Sequence, residues 1–330
     1  MTICLRRTRL QAGTAACALA TVMLTAPTVA SADTAATEPE AIRFAVPPWP
    51  GVTVKSELAA TLFDALGYAP KQEELGATIA YQALGENELD AYFAAWLPAQ
   101  QGMYDTATSG ENQLVDLGTN VDGARLGFVV PDYIFEAGYT SGKDLCSEDL
   151  REKAGGTIYS IEVGSGTSDL LSDMQDSGTY CLDEWNLSET SASGMFSQAK
   201  ASIDRDEWIV FYAWTPHWAS IEYDIEFLDD PEDAWGPDGG RSDVRSLTTQ
   251  AFAEQNPNAT RLLEQIVFTA DQQSQMISGL SFEDRPSDDV AMSWMQDNPD
   301  RIKAFLDGVT TRSGDPAWPT VKKKLDLPDA

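Results

Sequence analysis

Histidine is nearly absent from this chain, with one among 330 residues, and cysteine is scarce at four. That shortage leaves no spaced His/Cys ligand set, so neither a metal site nor a metal cofactor is expected, and no other cofactor is indicated. Basic residues are also few: 22 Lys and Arg against 52 Asp and Glu give a formal charge of −30. Such a balance disfavours nucleic acid and anionic lipid as partners and points to a heavily solvated surface, suited to salty surroundings. Beyond the N-terminal region no run reaches the ~18 uninterrupted apolar residues of a membrane span. Low-complexity linkers, sequence repeats, a nucleophile elbow and a phosphate-binding loop are missing too.

What is present begins with Arg6, Arg7 and Arg9, an apolar stretch over residues 15–26, and Ala30-Ser31-Ala32. Charged, apolar and small-residue regions in that order predict a signal peptide over residues 1–32, cleaved near Ala32, and hence a periplasmic protein. The Arg pair fits twin-arginine export in part, and the general secretory route fits as well. Cleavage would move the charge from −30 to −33 and leave two cysteines, Cys146 and Cys181. In an oxidising compartment they suggest one disulfide, although two separate buried thiols fit the same spacing.

The remaining 298 residues, in a chain that is 43% apolar, can bury a large core. Residues 41–46 read as a strand, Pro47-Pro-Trp-Pro-Gly51 as a turn, and residues 54–66 as a helix closed by Gly67. Residues 90–96 read as a further strand, stopped by Pro98. Farther on, strands at 157–162, 185–189 and 208–213 alternate with helices after Gly164-Ser-Gly-Thr-Ser168 and at 193–203, the pattern of parallel α/β sheets. After about residue 221 the chain reads as helical and charged, with helices at 248–254, 260–268 and 288–295.

In parallel sheets ligands collect at the carboxyl ends of strands, so the turns after Val46, Ala95, Glu162 and Ala213 are expected to converge. Three of the four carry tryptophan: Trp49, Trp96 and Trp214. A methylated ammonium has no N–H to donate but is attracted by aromatic faces, so this clustering points to a quaternary ammonium ligand. The alternative is that Trp-rich strand ends are simply core. Phe211-Tyr-Ala-Trp-Thr-Pro-His-Trp218 also holds the only histidine, His217, either a hydrogen-bond donor to the ligand or a bonded ring that shapes the Pro216 turn.

These residues resemble the substrate-binding proteins of ABC importers for glycine betaine, choline and related compounds. The resemblance covers nearly the whole chain after residue 32. It is carried by Leu66-Gly-Tyr68, Ala95-Trp-Leu-Pro98, Ile161-Glu-Val-Gly164, Trp214-Thr-Pro-His217, Phe227-Leu-Asp-Asp-Pro231 and Asp297-Asn-Pro299. It implies an α/β, two-lobed, Venus-flytrap receptor (type II-like) with a parallel-rich sheet in each lobe. Lobe I would comprise residues 39–125 plus 224–327, and lobe II residues 126–223. The receptor, a monomer and not an enzyme, would deliver its ligand to a membrane permease driven by an ATPase subunit. The implied cage uses Trp96 and Trp214, with Trp49 as in the choline-preferring branch. A ligand carboxylate would take donors from the backbone of Gly51 and Val52 and from His217, and Ser165 would add a polar contact.

The sequence also departs from that family. The loop after Glu162 offers hydroxyls where some relatives place a third cage tryptophan, and Leu126 stands where the choline branch has a tyrosine. The cage would then be closed by Trp49, Trp218 or Tyr212. Rival readings are a sulfonium osmolyte or other betaine as cargo, and a secreted hydrolase with Glu162 as its acid.

Overall fold

The computed structural model describes residues 41–109 and 113–330; the expected signal peptide lies outside them. Strand β1 (Ala41–Val46) buries Ile42 and Phe44 and leads into α1 (Pro50–Leu66). Proline suits that first helical position, where its missing N–H has no partner to lose. The helix ends where Gly67 adopts φ +93°, and the Gly67 and Tyr68 N–H groups close on the carbonyls of Asp64 and Phe63. Strand β2 (Ala69–Glu74), α2 (Ala77–Gly85), β3 (Ala91–Leu97) and α3 (Gln101–Thr108) follow, and β1 lies between β2 and β3, parallel to both. Phe44, Phe63 and Phe93 pack together beneath α1, with ring centroids about 6 Å apart.

The 18-residue strand β4 (Leu114–Pro131) then carries the chain across the molecule. Beyond it come α4 (Asp132–Glu136), α5 (Glu148–Lys153), β5 (Thr157–Ser160), α6 (Thr167–Ser177), β6 (Asn186–Glu189), α7 (Ala192–Ile203) and β7 (Val210–Thr215). Strand β5 pairs parallel with β6 and β7, repeating the arrangement of the first half. Cys146 and Cys181 are joined by a disulfide with 5.1 Å between their Cα atoms. The buried Trp185 beside it donates its indole N–H to the Leu145 carbonyl at 2.9 Å.

The chain returns through α8 (Ala219–Glu222), β8 (Ile225–Phe227), the short turn α9 (Pro237–Gly240) and β9 (Arg241–Thr249). It ends in α10 (Gln250–Gln255), α11 (Pro257–Gln265), β10 (Phe268–Thr269), α12 (Ala270–Ser281), α13 (Ser287–Asp297), α14 (Pro299–Phe305) and α15 (Ala317–Lys324). Helices α12, α13 and α15 all pack against α1. The sheet order is β2-β1-β3-β9-β4-β7-β5-β6, two parallel trios joined by the antiparallel pair β9 and β4.

Strand β4 changes partner at Arg125, which pairs with Arg241 of β9 on one side and Thr215 of β7 on the other. Strand β8 pairs with Val129–Pro131, on the β7 side of that change. The region after residue 221 is thus not wholly helical: β9 is a central strand, and helix α10 begins at Gln250, not at residue 248. Gly240 sits at the crossing, where an added Cβ would lie 2.0 Å from the Leu126 carbonyl oxygen, an approach open only to glycine. Among the described residues no helix is long and apolar enough to cross a membrane.

Candidate functional site

A small cavity of about 30 Å³ lies where the carboxyl ends of β1, β3, β5 and β7 meet. Trp49, Gly51 and Val52 enter from the β1–α1 turn and the start of α1, and Trp96, Ala99 and Gln100 from the end of β3. Ile161, Ser165 and Thr167 come from the loop after β5, and Tyr212 and Trp214 from β7. The four expected turns therefore converge. Of the residues singled out in the sequence, Trp49, Gly51, Val52, Trp96, Ser165 and Trp214 share this cavity. Trp49 and Trp214 are buried and Trp96 is half-buried. None of the three stacks on another among the described residues; Trp214 packs instead against Phe196, Tyr212 and His217.

His217 is not brought to this cavity. Its ring stacks on Phe196 at 4.2 Å and meets Trp214 edge-on at 4.6 Å, and its Nδ1 accepts the Ala219 N–H at 3.2 Å. It lines a neighbouring open cleft together with Trp218, behind Trp49 and the Trp214 ring. Burial pushes His217 down to about 3, so the ring is neutral. The turn-shaping alternative describes this geometry, and Tyr212 rather than Trp218 closes the cavity wall. Leu126 is buried in β4 beside Trp214, its register partner, and leaves no phenol at that point.

The polar end of the cavity is built by α1. Gly51 and Val52 occupy the first turn, where backbone N–H groups have no intrahelical acceptor and the helix dipole is positive. An added Cβ at Gly51 would lie 2.2 Å from the Gln273 amide nitrogen, so a larger residue there would have to displace the end of that side chain. Two residues not anticipated from the sequence join this end: Lys55, one helical turn beyond Gly51, and Gln273 of α12. Each is 1% exposed. The Lys55 Nζ donates to the Phe93 carbonyl at 2.9 Å and to Asn120 Oδ1 at 2.5 Å, and burial alone pushes its ammonium down to about 7. A lysine four residues after Gly51 was a visible signal; Gln273, 222 positions away along the chain, gave none.

Contacts across the cleft hold the two halves around the cavity. The Trp49 indole N–H donates to Glu162 Oε1 at 2.7 Å, so the candidate hydrolytic acid is instead the partner of a cavity tryptophan. The Thr78 hydroxyl and N–H both reach the Gly164 carbonyl, at 3.0 and 3.3 Å. Gly166, at φ +87°, lies against Ala99 and Gln100 so closely that an added Cβ would be 2.7 Å from the Ala99 carbonyl oxygen. Among the described residues no group of His, Cys, Asp and Glu is placed to hold a metal ion.

Residues 40–297 match the family model described as the substrate binding domain of ABC-type glycine betaine transport systems. The chain belongs to this family. Its members are transport binding proteins, not enzymes. The glycine betaine/carnitine transport binding protein GbuC of Listeria monocytogenes is 29% identical over 170 residues, 51% of this chain and 55% of that protein. The match thus spans about half the length of that relative. A choline-binding ABC-transporter protein solved with choline superimposes with a TM-score of 0.82 at 25% identity, covering 86% of this chain and 98% of the other. Lactococcal OpuAC, closed and complexed with glycine betaine, superimposes at 0.72 with 22% identity over 81% of this chain and 99% of its own, a likeness of fold. These solved neighbours share the two-lobed α/β architecture of periplasmic binding proteins.

Proposed function

We propose that this protein is the periplasmic receptor of an importer for glycine betaine or choline, supporting osmoprotectant uptake. It captures the cation in an aromatic cage between two lobes and delivers it to a permease powered by an ATPase. The observation that carries this reading is the convergence of Trp49, Trp96 and Trp214 on one small cavity at four strand ends. In a desolvated cage each ring contributes about 1–2 kcal/mol toward a methylated ammonium. Three rings with donors for the far end of the ligand suffice for micromolar affinity, about 8 kcal/mol.

Lobe closure is part of the proposal. The partner change of β4 at Arg125 supports a first crossing near residue 125. The pairing of β8 with Val129–Pro131 favours a return crossing near Gly240 and Arg241 over one at residue 224. Export through a cleaved signal peptide over residues 1–32 and action as a monomer complete the reading.

Calorimetric titration with glycine betaine and with choline tests it. Saturable one-to-one binding of at least one ligand is expected. Trp96→Ala and Trp214→Ala should each weaken that binding at least about tenfold with the fold intact by circular dichroism, although loss of the buried Trp214 ring lowers stability. Full affinity in both variants would remove the cage.

A further inference from the structure

Lys55 is a buried cation without an anion. Its two hydrogen-bond acceptors, the Phe93 carbonyl and the Asn120 side-chain oxygen, are neutral, and among the described residues no carboxylate pairs with it. Buried charges are ordinarily paired, and an ammonium has three N–H groups, of which two are engaged here. Asn120 is itself fixed, donating to the Phe93 carbonyl and to Ser246 Oγ, so it cannot swing away to leave the lysine room. Lys55 forms part of the cavity wall, at the end where Gly51 and Val52 present free N–H groups. Beside it Gln273, equally buried, has a side-chain oxygen with no partner. An ammonium with no anion and a helix N-terminus stand at one end of a cavity whose other walls are aromatic, and these two features give the ends opposite preferences; the Gln273 oxygen, an acceptor, adds no pull on an anion.

We propose that Lys55 is the counter-ion for an anionic group on the ligand, so that the site selects a quaternary ammonium carboxylate over choline. The inference rests on the cage reading above and adds the residue that sets the choice within it. Glycine betaine and choline share the trimethylammonium head and a two-carbon reach, and differ in ending in a carboxylate or a hydroxyl. A carboxylate completes the third N–H of Lys55 and neutralises it. A hydroxyl offers Lys55 no charge, so burial and the ligand's own cation both disfavour its ammonium form.

The experiment is calorimetric titration of the native protein and of Lys55→Met with both compounds, with Trp96→Ala as the cage control. Native protein should bind glycine betaine at least about tenfold more tightly than choline, since a charge-assisted hydrogen bond has that worth. In Lys55→Met betaine affinity should fall at least about tenfold while choline affinity holds or improves. Equal losses for both ligands, or none, would overturn the role of Lys55 while Trp96→Ala still reports on the cage. Should Lys55→Met fail to fold, the native preference decides: equal affinities, or a preference for choline, overturn the proposal. Binding of neither ligand by native protein would take the cage reading and this inference down together.

Discussion

Removing the only histidine from water leaves it neutral, and this has a cost that depends on acidity. His217 is 2% exposed, is stacked on Phe196, and is pushed down to about 3 by burial from an ordinary 6.5. Its folded value is depressed, so between pH 6.5 and about 3 the unfolded chain takes up a proton that the folded chain refuses. The contribution of the neutral ring is therefore complete above pH 6.5 and is lost as pH falls toward 3. Between pH 7.5 and 5 that loss is roughly 2 kcal/mol. Urea unfolding of native protein and His217→Phe at both pH values isolates it, because contributions from the many carboxylates cancel in the difference. The variant should lose roughly 2 kcal/mol less on acidification; equal losses would mean the ring titrates freely in the folded state. The same residue shows why chemistry type alone misleads: a histidine three positions from a cavity tryptophan offered donors, but the chain turns between them and sends the ring to the other side.

At the scale of elements, the loop between β5 and α6 decides whether the halves can meet. Gly166 opens α6 at φ +87°, where side chains are disfavoured, and abuts Ala99 and Gln100 of the opposite half. Gly166→Ala would bring a Cβ within 2.7 Å of the Ala99 carbonyl oxygen and of Gln100 Cγ. Under the proposed lobe closure both contacts would persist in the bound state, so the expected result is ligand affinity at least about tenfold weaker, with ligand no longer compacting the protein in small-angle scattering. Affinity within twofold of native would show that this contact is absent from the bound state. Elements of this kind were legible from sequence wherever one β-α unit reported on itself: apolar spacing and the Gly67 cap marked α1, and strand-helix alternation placed β1, β3, β5 and β7. Strands β4 and β9 were not legible. Their residues, such as Asp116, Asp122 and Asp243, are polar because the strands cross between halves and are part-exposed, so period-two alternation is lost. Lys55 and Gln273 were missed for a related reason: a polar residue on a helix reads as solvated until tertiary packing shows what covers it.

At the scale of the whole molecule, charge and topology act against each other. The sheet runs unbroken through β9 and β4, so both halves share one hydrogen-bonded spine, and Tyr180, Asp230, Ala234 and Trp235 form a buried bonded cluster next to it. Over this spine lies a surface with a formal charge of −30. The ion pairs do little to relieve it: Lys153 with Asp149 and Lys200 with Asp204 are exposed pairs four residues apart on single helices, where solvent screens the attraction. With more than twice as many acids as bases, most carboxylates have no cation at all, and their repulsion favours the expanded chain. Raising salt shortens the Debye length from about 10 Å at 0.1 M to about 3 Å at 1 M, which removes repulsion between neighbouring carboxylates while leaving the buried core untouched. Thermal unfolding in sodium chloride from about 0.05 to 1 M should therefore show a midpoint that rises steadily, with the steepest gain at low salt where screening changes most. The rise should be absent when an equal osmolality of sucrose replaces the salt below about 0.3 M, since a neutral solute does not screen. A midpoint that is flat or falls with salt would mean that attractive ion pairs outweigh the repulsion, and that the acidic surface is not what limits the stability of this fold.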